Sequence, residues 1–134
     1  MTIRISEIAG VSPQLAEALK ARGLDDSDKL LAAAATPQAR AELAAQLGVS
    51  DRAILEIANR ADLARIKGIG KVYSDLLEFA GVDTVMELRN RNPDNLYEKI
   101  VAVSAEHHVR RIPRRDQVHD WVAQARRLDR AIEY

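Results

Sequence analysis

Residues 66–71 read Ile66-Lys67-Gly68-Ile69-Gly70-Lys71, two glycines astride one isoleucine with a lysine at either flank. Gly68 can take the positive φ that ends one helix, Ile69 can plug a core, and Gly70 lets another backbone approach the helix that follows. A turn of this kind leaves N–H groups unpaired at the start of the second helix, together with a partial positive charge. An anionic oxygen fits there without any particular base sequence.

Reading outward from this stretch, residues 5–30 recur in pattern at residues 63–88 with a constant offset of 58. Ile5, Ile8, Gly10, Val11, Leu15, Leu19, Gly23, Leu24 and Leu30 align with Leu63, Ile66, Gly68, Ile69, Tyr73, Leu77, Gly81, Val82 and Leu88. The register holds without a gap, which is the mark of an internal duplication. Further on, Ile54, Ile57, Ala58 and Ala61 match Val118, Trp121, Val122 and Ala125 at an offset of 64.

Alanine, leucine, glutamate, arginine and lysine dominate, with apolar residues three and four apart, so the chain reads as helical almost throughout and without strands. A short first helix is expected to end at Gly10. Ser12-Pro13, Thr36-Pro37 and Asn92-Pro93 read as cap-plus-proline starts, and Gly23, Gly48 and Gly81 as stops. Asp26 should open a helix through Ala35, and Ser50 or Asp51 one that continues to Ile66. Thr84 with Glu87 reads as a capping box. Residues 107–115 read as a loop, after which Asp116 caps a last helix to about Arg130. The expected fold is all-α, two tandem repeats of about five helices each (3–62 and 63–130) in one compact domain over residues 1–134. The long helix near 51–66 joins the repeats.

Composition narrows the function. The 134 residues hold 20 basic and 20 acidic side chains, so the molecule exerts no strong long-range field on nucleic acid or membrane, and any charge-based role must be local. The absence of cysteine excludes a disulfide framework, a thiol nucleophile and thiolate ligation. There is no apolar signal core, and the longest apolar run, Leu30 to Ala35, is too short to span a bilayer, so a cytoplasmic location is expected. No Gly-x-Ser-x-Gly elbow or Walker loop occurs, and the carboxylates are scattered along polar helix faces, so catalysis and cofactors are not expected. His107, His108 and His119 make a poor metal trio, because adjacent histidines point apart. Trp121 reads as core and Tyr73, matching Leu15, as an apolar helix-face contact.

The two copies differ in one direction. Across the offset of 58, Glu7 gives way to Arg65, Ala9 to Lys67, Ser12 to Gly70 and Pro13 to Lys71. Each change favours an anion at the second turn, and Pro13 lacks an N–H that the second turn retains. A second basic feature is the loop bearing Arg110, Arg111, Arg114 and Arg115 against Glu106. The candidate binding residues are therefore Arg65, Lys67, Gly68, Ile69, Gly70 and Lys71, with the four loop arginines as further candidates.

Ile66-Lys67-Gly68-Ile69-Gly70 with Ser74, Leu77 and Gly81-Val82 resembles the helix-hairpin-helix motif of DNA repair proteins, polymerases and recombinases. That resemblance implies that the hairpin amides meet phosphates. Over nearly the full length, Gly10-Val11, the stretch 58–63, Lys67-Gly68-Ile69-Gly70, Arg91-Asn92-Pro93 and the Trp121 helix resemble a bacterial family of tandem helix-hairpin-helix proteins, domain of unknown function 4332. This second resemblance implies a fold and transfers no catalytic residue. Two functions remain open: weak contact with a DNA or RNA backbone, of order 10⁻⁴ to 10⁻⁶ M and strongly salt dependent, or a module that binds a protein partner or a second copy through purely structural hairpins.

Overall fold

The computed structural model describes residues 1–134 throughout. A 3-10 turn at Ile5–Glu7 precedes eight α-helices: α1 (Pro13–Ala21), α2 (Ser27–Ala33), α3 (Pro37–Leu47), α4 (Asp51–Leu63), α5 (Lys71–Phe79), α6 (Val85–Arg89), α7 (Pro93–Glu106) and α8 (Arg115–Ala125). The chain is all-α, with a lone antiparallel bridge between Arg4 and Asp26.

Caps decide where the helices begin. Ser12, Asp26, Thr36, Ser50, Thr84 and Asn92 each accept a hydrogen bond from an N–H two or three residues on. Each supplies a partner that the first helical turn otherwise lacks. After α3 the chain turns at Gly48 with φ +70; after α7 the same office falls to His108, the one non-glycine residue with positive φ, at +55.

Several boundaries differ from the sequence expectation. The first helix shrinks to a single 3-10 turn because its backbone bonds elsewhere: Ile5 N–H donates to Asp25 O and Ser27 N–H to Ile3 O. Helix α4 stops at Leu63, and the bonds Arg65 N–H to Asp62 O and Ile66 N–H to Leu63 O tighten the chain into the turn. Helix α8 starts at Arg115, not behind an Asp116 cap. The Gln117 side chain takes the Arg114 N–H at 2.8 Å, and Asp116 falls in the first turn, paired with Arg114. It ends at Ala125, short of Arg130. At α6, Thr84 accepts from Glu87 N–H as a capping box requires, while the Glu87 carboxylate turns to Arg91 instead of closing the box.

Apolar burial divides in two. One cluster gathers Ile5, Leu19, Leu30, Leu43, Ile54 and Ile57; the other gathers Ile66, Ile69, Leu77, Leu88, Ile100 and Trp121. Helix α4 serves both, with Ala61 in the first and Leu63 in the second. The residues after α8 return to the earlier half. Ile132 closes the first cluster, Glu133 N–H donates to Ala35 O, and buried Arg40 donates to the carbonyls of Ala34 and Glu133. Burying a guanidinium demands such partners. The halves are further joined by Arg60, which pairs with Asp75 and Glu78 of α5, and by the Asp62 carboxylate, which accepts from Val85 N–H at 2.8 Å.

Candidate functional site

Two glycine turns, one before α1 and one before α5, share a backbone form. Gly10 has φ +91 and Gly68 φ +103. A Cβ on Gly10 would meet Ile57 Cγ2 at 3.3 Å, and one on Gly68 would meet Trp121 Nε1 at 3.1 Å. Ile57 and Trp121 are the residues matched by the offset of 64.

Their donors differ. Val11 N–H to Ile8 O and Ile69 N–H to Ile66 O are alike in the two turns, but at the first Ser12 caps Leu15 N–H and Pro13 has no N–H to offer. At the second, Gly70 occupies the cap position without a side chain. The Tyr73 N–H, which a cap would take, therefore has no partner within the protein, and neither have those of Gly70, Lys71 and Val72. The turn is nevertheless held firmly. Ile69 is buried in the second cluster, and the Gln124 amide clasps Lys67 from both sides, accepting from its N–H at 2.8 Å and donating to its carbonyl at 3.1 Å.

Charge gathers unevenly around this helix start. Lys67 and Lys71 are exposed and enter no ion pair. A groove of about 350 Å³ beside the turn is lined by Gly68, Gly70, Lys71, Val72, Tyr73 and Arg111, with Ser6 and Glu7 from the earlier half. Arg111 stacks over the Tyr73 ring, 5.2 Å from its centre, so the arginine loop reaches the second turn through this residue. Arg110 is exposed and enters no ion pair.

The remaining arginines are occupied. Arg65 bonds the Asp62 carboxylate at 2.9 Å and the Asp129 carbonyl at 2.8 Å, with its side chain 18% exposed. Arg114 pairs with Asp116 at 3.0 Å. Arg115 bridges Asp94 and Glu98 of α7 at 3.0 and 2.9 Å and lies over the Tyr97 ring. Hydrogen bonds from His119 and then Arg115 hold the Asp94 carboxyl below its ordinary value. Arg115 thus fastens α8 to α7, away from the groove. The structure therefore brings together Lys67, Gly68, Ile69, Gly70, Lys71 and Arg111, engages Arg65 and Arg115 in pairs within the protein, and leaves Arg114 on the surface with only an exposed partner, Asp116.

Sequence reasoning missed Gln124 and Glu7. Gln124 stands where the offset of 64 places Arg60 in the earlier half, a visible departure between matched positions. Glu7 enters the groove through a contact between halves, and no sequence pattern signals it. Tyr73 packs against the second cluster as expected, and it also carries Arg111.

A cleft of about 500 Å³ lies between the halves and is lined by Arg52, Glu56, Asn59, Arg60, Asp75, Glu78 and neighbours. Its arginines are paired with its acids. No group of three or more His, Asp or Glu side chains is placed to hold a metal ion. No helix is long and apolar enough to cross a membrane.

Fold and surface together define a small all-helical protein in which α5 begins without a side-chain cap beside Lys67, Lys71 and Arg111. The family model described as Domain of unknown function (DUF4332) matches residues 9–128, and the chain belongs to that family. No curated protein and no solved structure matches it.

Proposed function

We propose that this protein is a non-catalytic tandem helix-hairpin-helix module whose second hairpin touches a nucleic-acid backbone without reading sequence. One observation carries the reading: the N–H groups of Gly70, Lys71, Val72 and Tyr73 stand unpartnered beside Lys67, Lys71 and Arg111. Backbone amides at a helix start bind phosphate oxygens through geometry and the helix dipole, and neighbouring cations displace counterions. With Arg65 folded inward, Lys67, Lys71 and Arg111 supply the charge. Neutralising about two or three phosphates gives dissociation constants of order 10⁻⁴ to 10⁻⁶ M that weaken steeply with salt. Nothing in this role requires a cofactor.

Fluorescence anisotropy with labelled duplex and single-stranded DNA, at low and moderate salt, tests the reading. Lys67→Glu with Lys71→Glu is expected to weaken binding by at least about tenfold and to flatten the salt dependence. Equal titrations for this variant and the wild type would refute it.

A second reading, docking of a protein partner or a second copy, draws on exposed Val72 in the groove wall and exposed Ile112 next to Arg111, together with the Glu7 carboxylate and zero net charge. It predicts that the charge-reversed variant and the wild type treat DNA alike.

A further inference from the structure

We infer that the indole N–H of Trp121 is an additional hydrogen-bond donor to the ligand of the second turn. This rests on the proposed function of that turn and names a residue beyond its amides and cations.

Trp121 is 2% exposed and packs against Tyr73 with ring centres 5.1 Å apart. Its ring is core, as the sequence indicates. Its nitrogen is not fully so. An indole N–H is a donor only, and a buried one ordinarily finds an acceptor. Here none is supplied: the nearby Gln124 amide oxygen is engaged by Lys67 N–H, and the Gln124 NH₂ faces Lys67 O and Asp120. No side-chain nitrogen or oxygen that lacks a partner is sealed from solvent, so a water-sized oxygen reaches Nε1.

The opening lies at Gly68. A Cβ there would stand 3.1 Å from Nε1 and 3.9 Å from Cδ1, with no other neighbouring side chain or remote backbone within 4 Å of that point. Glycine at position 68 therefore keeps the indole nitrogen accessible as well as satisfying φ +103. The first turn provides a control within the same molecule. The residue below Gly10 is Ile57, which has no donor, and that turn is capped by Ser12 and lacks the Pro13 N–H. An unpartnered donor thus lies under the turn whose amides are also unpartnered. A phosphate oxygen descending beside Gly68 would accept from Nε1 while its neighbours meet the Gly70 and Lys71 amides.

The chain contains one tryptophan, so a ¹H–¹⁵N correlation spectrum of the full-length protein holds a single indole cross-peak. Titration with a short DNA duplex of arbitrary sequence is expected to shift this peak downfield in ¹H, in step with the Gly70, Lys71 and Val72 amides. Trp121→Phe keeps an aromatic ring without the donor, and its affinity should fall about tenfold, the scale of one charge-assisted hydrogen bond. If the amides shift while the indole peak stays still, the inference fails and the proposed function survives. If neither moves, both fail. The spectrum decides the matter on the wild-type chain even if Trp121→Phe folds poorly.

Discussion

At the first glycine turn Ser12 caps the helix, Pro13 withholds an N–H and Ile57 fills the space beneath Gly10; at the second, Gly70 leaves the cap empty, Lys71 restores the N–H, and Trp121 lies beneath Gly68. The backbone is shared and the donors are not. A serine cap is worth only a few tenths of a kcal/mol over glycine. The second turn gives up that small stabilisation, and burial of Ile69 and the Gln124 clasp on Lys67 secure it instead. Unsatisfied donors can thus persist at a rigid site with little loss of stability, and such donors are what a weak anion site requires.

The largest effect should come from the plug residues. Ile69 is fully buried whereas Val11 is half-buried, so Ile69→Ala should destabilise by about 3 kcal/mol and Val11→Ala by about 1 kcal/mol in urea unfolding. Similar losses at both positions would show that the turns are anchored alike. Next is Gly68→Ala, where φ +103 and contact with Trp121 Nε1 act together; a loss of about 2 kcal/mol is expected by thermal or urea unfolding. A smaller effect of opposite sign is expected for Gly70→Ser. Backbone at φ −108, ψ −156 accepts any residue and nothing lies within 4 Å of a Cβ there. The new hydroxyl should stabilise the fold by about 0.3 kcal/mol and, by occupying the Tyr73 N–H, weaken DNA binding about threefold. A variant that gains stability and keeps full affinity would break the link between empty cap and function.

The smallest effect concerns pH and the α7–α8 contact. Hydrogen bonds from His119 and Arg115 lower the Asp94 pKa below 3.8. Its contribution to stability is therefore present above about pH 3.8 and lost as the pH falls through the folded-state value. Asp94→Asn should lower the melting temperature slightly near pH 6 and reduce its further fall as the pH drops below about 4. Unchanged acid sensitivity would place the titration elsewhere.

Local chemistry was legible in the sequence and long-range pairing was not. Ser12-Pro13, Thr36-Pro37, Ser50 and Asn92-Pro93 mark helix starts because a cap and its N–H lie within three residues of each other. His108, by contrast, takes the left-handed turn that Gly48 takes in the earlier half, against the usual residue preference. At the site, the glycines and Lys67 and Lys71 were visible from the duplication. Which arginines were available was not, since Arg115 meets its acids on another helix and Arg65 finds the Asp129 carbonyl far along the chain. Arg111 reaches Tyr73 only after α7 and α8 have packed.

Exchanging the two turns tests the central contrast most directly. Gly70→Ser with Lys71→Pro gives the second turn the first one's surface, and Ser12→Gly with Pro13→Lys does the reverse. Anisotropy with a labelled duplex at low salt should show binding reduced at least about tenfold in the former and retained in the latter. Wild-type affinity in the folded Gly70→Ser, Lys71→Pro protein would contradict the assignment of the second turn as the place where anions are held.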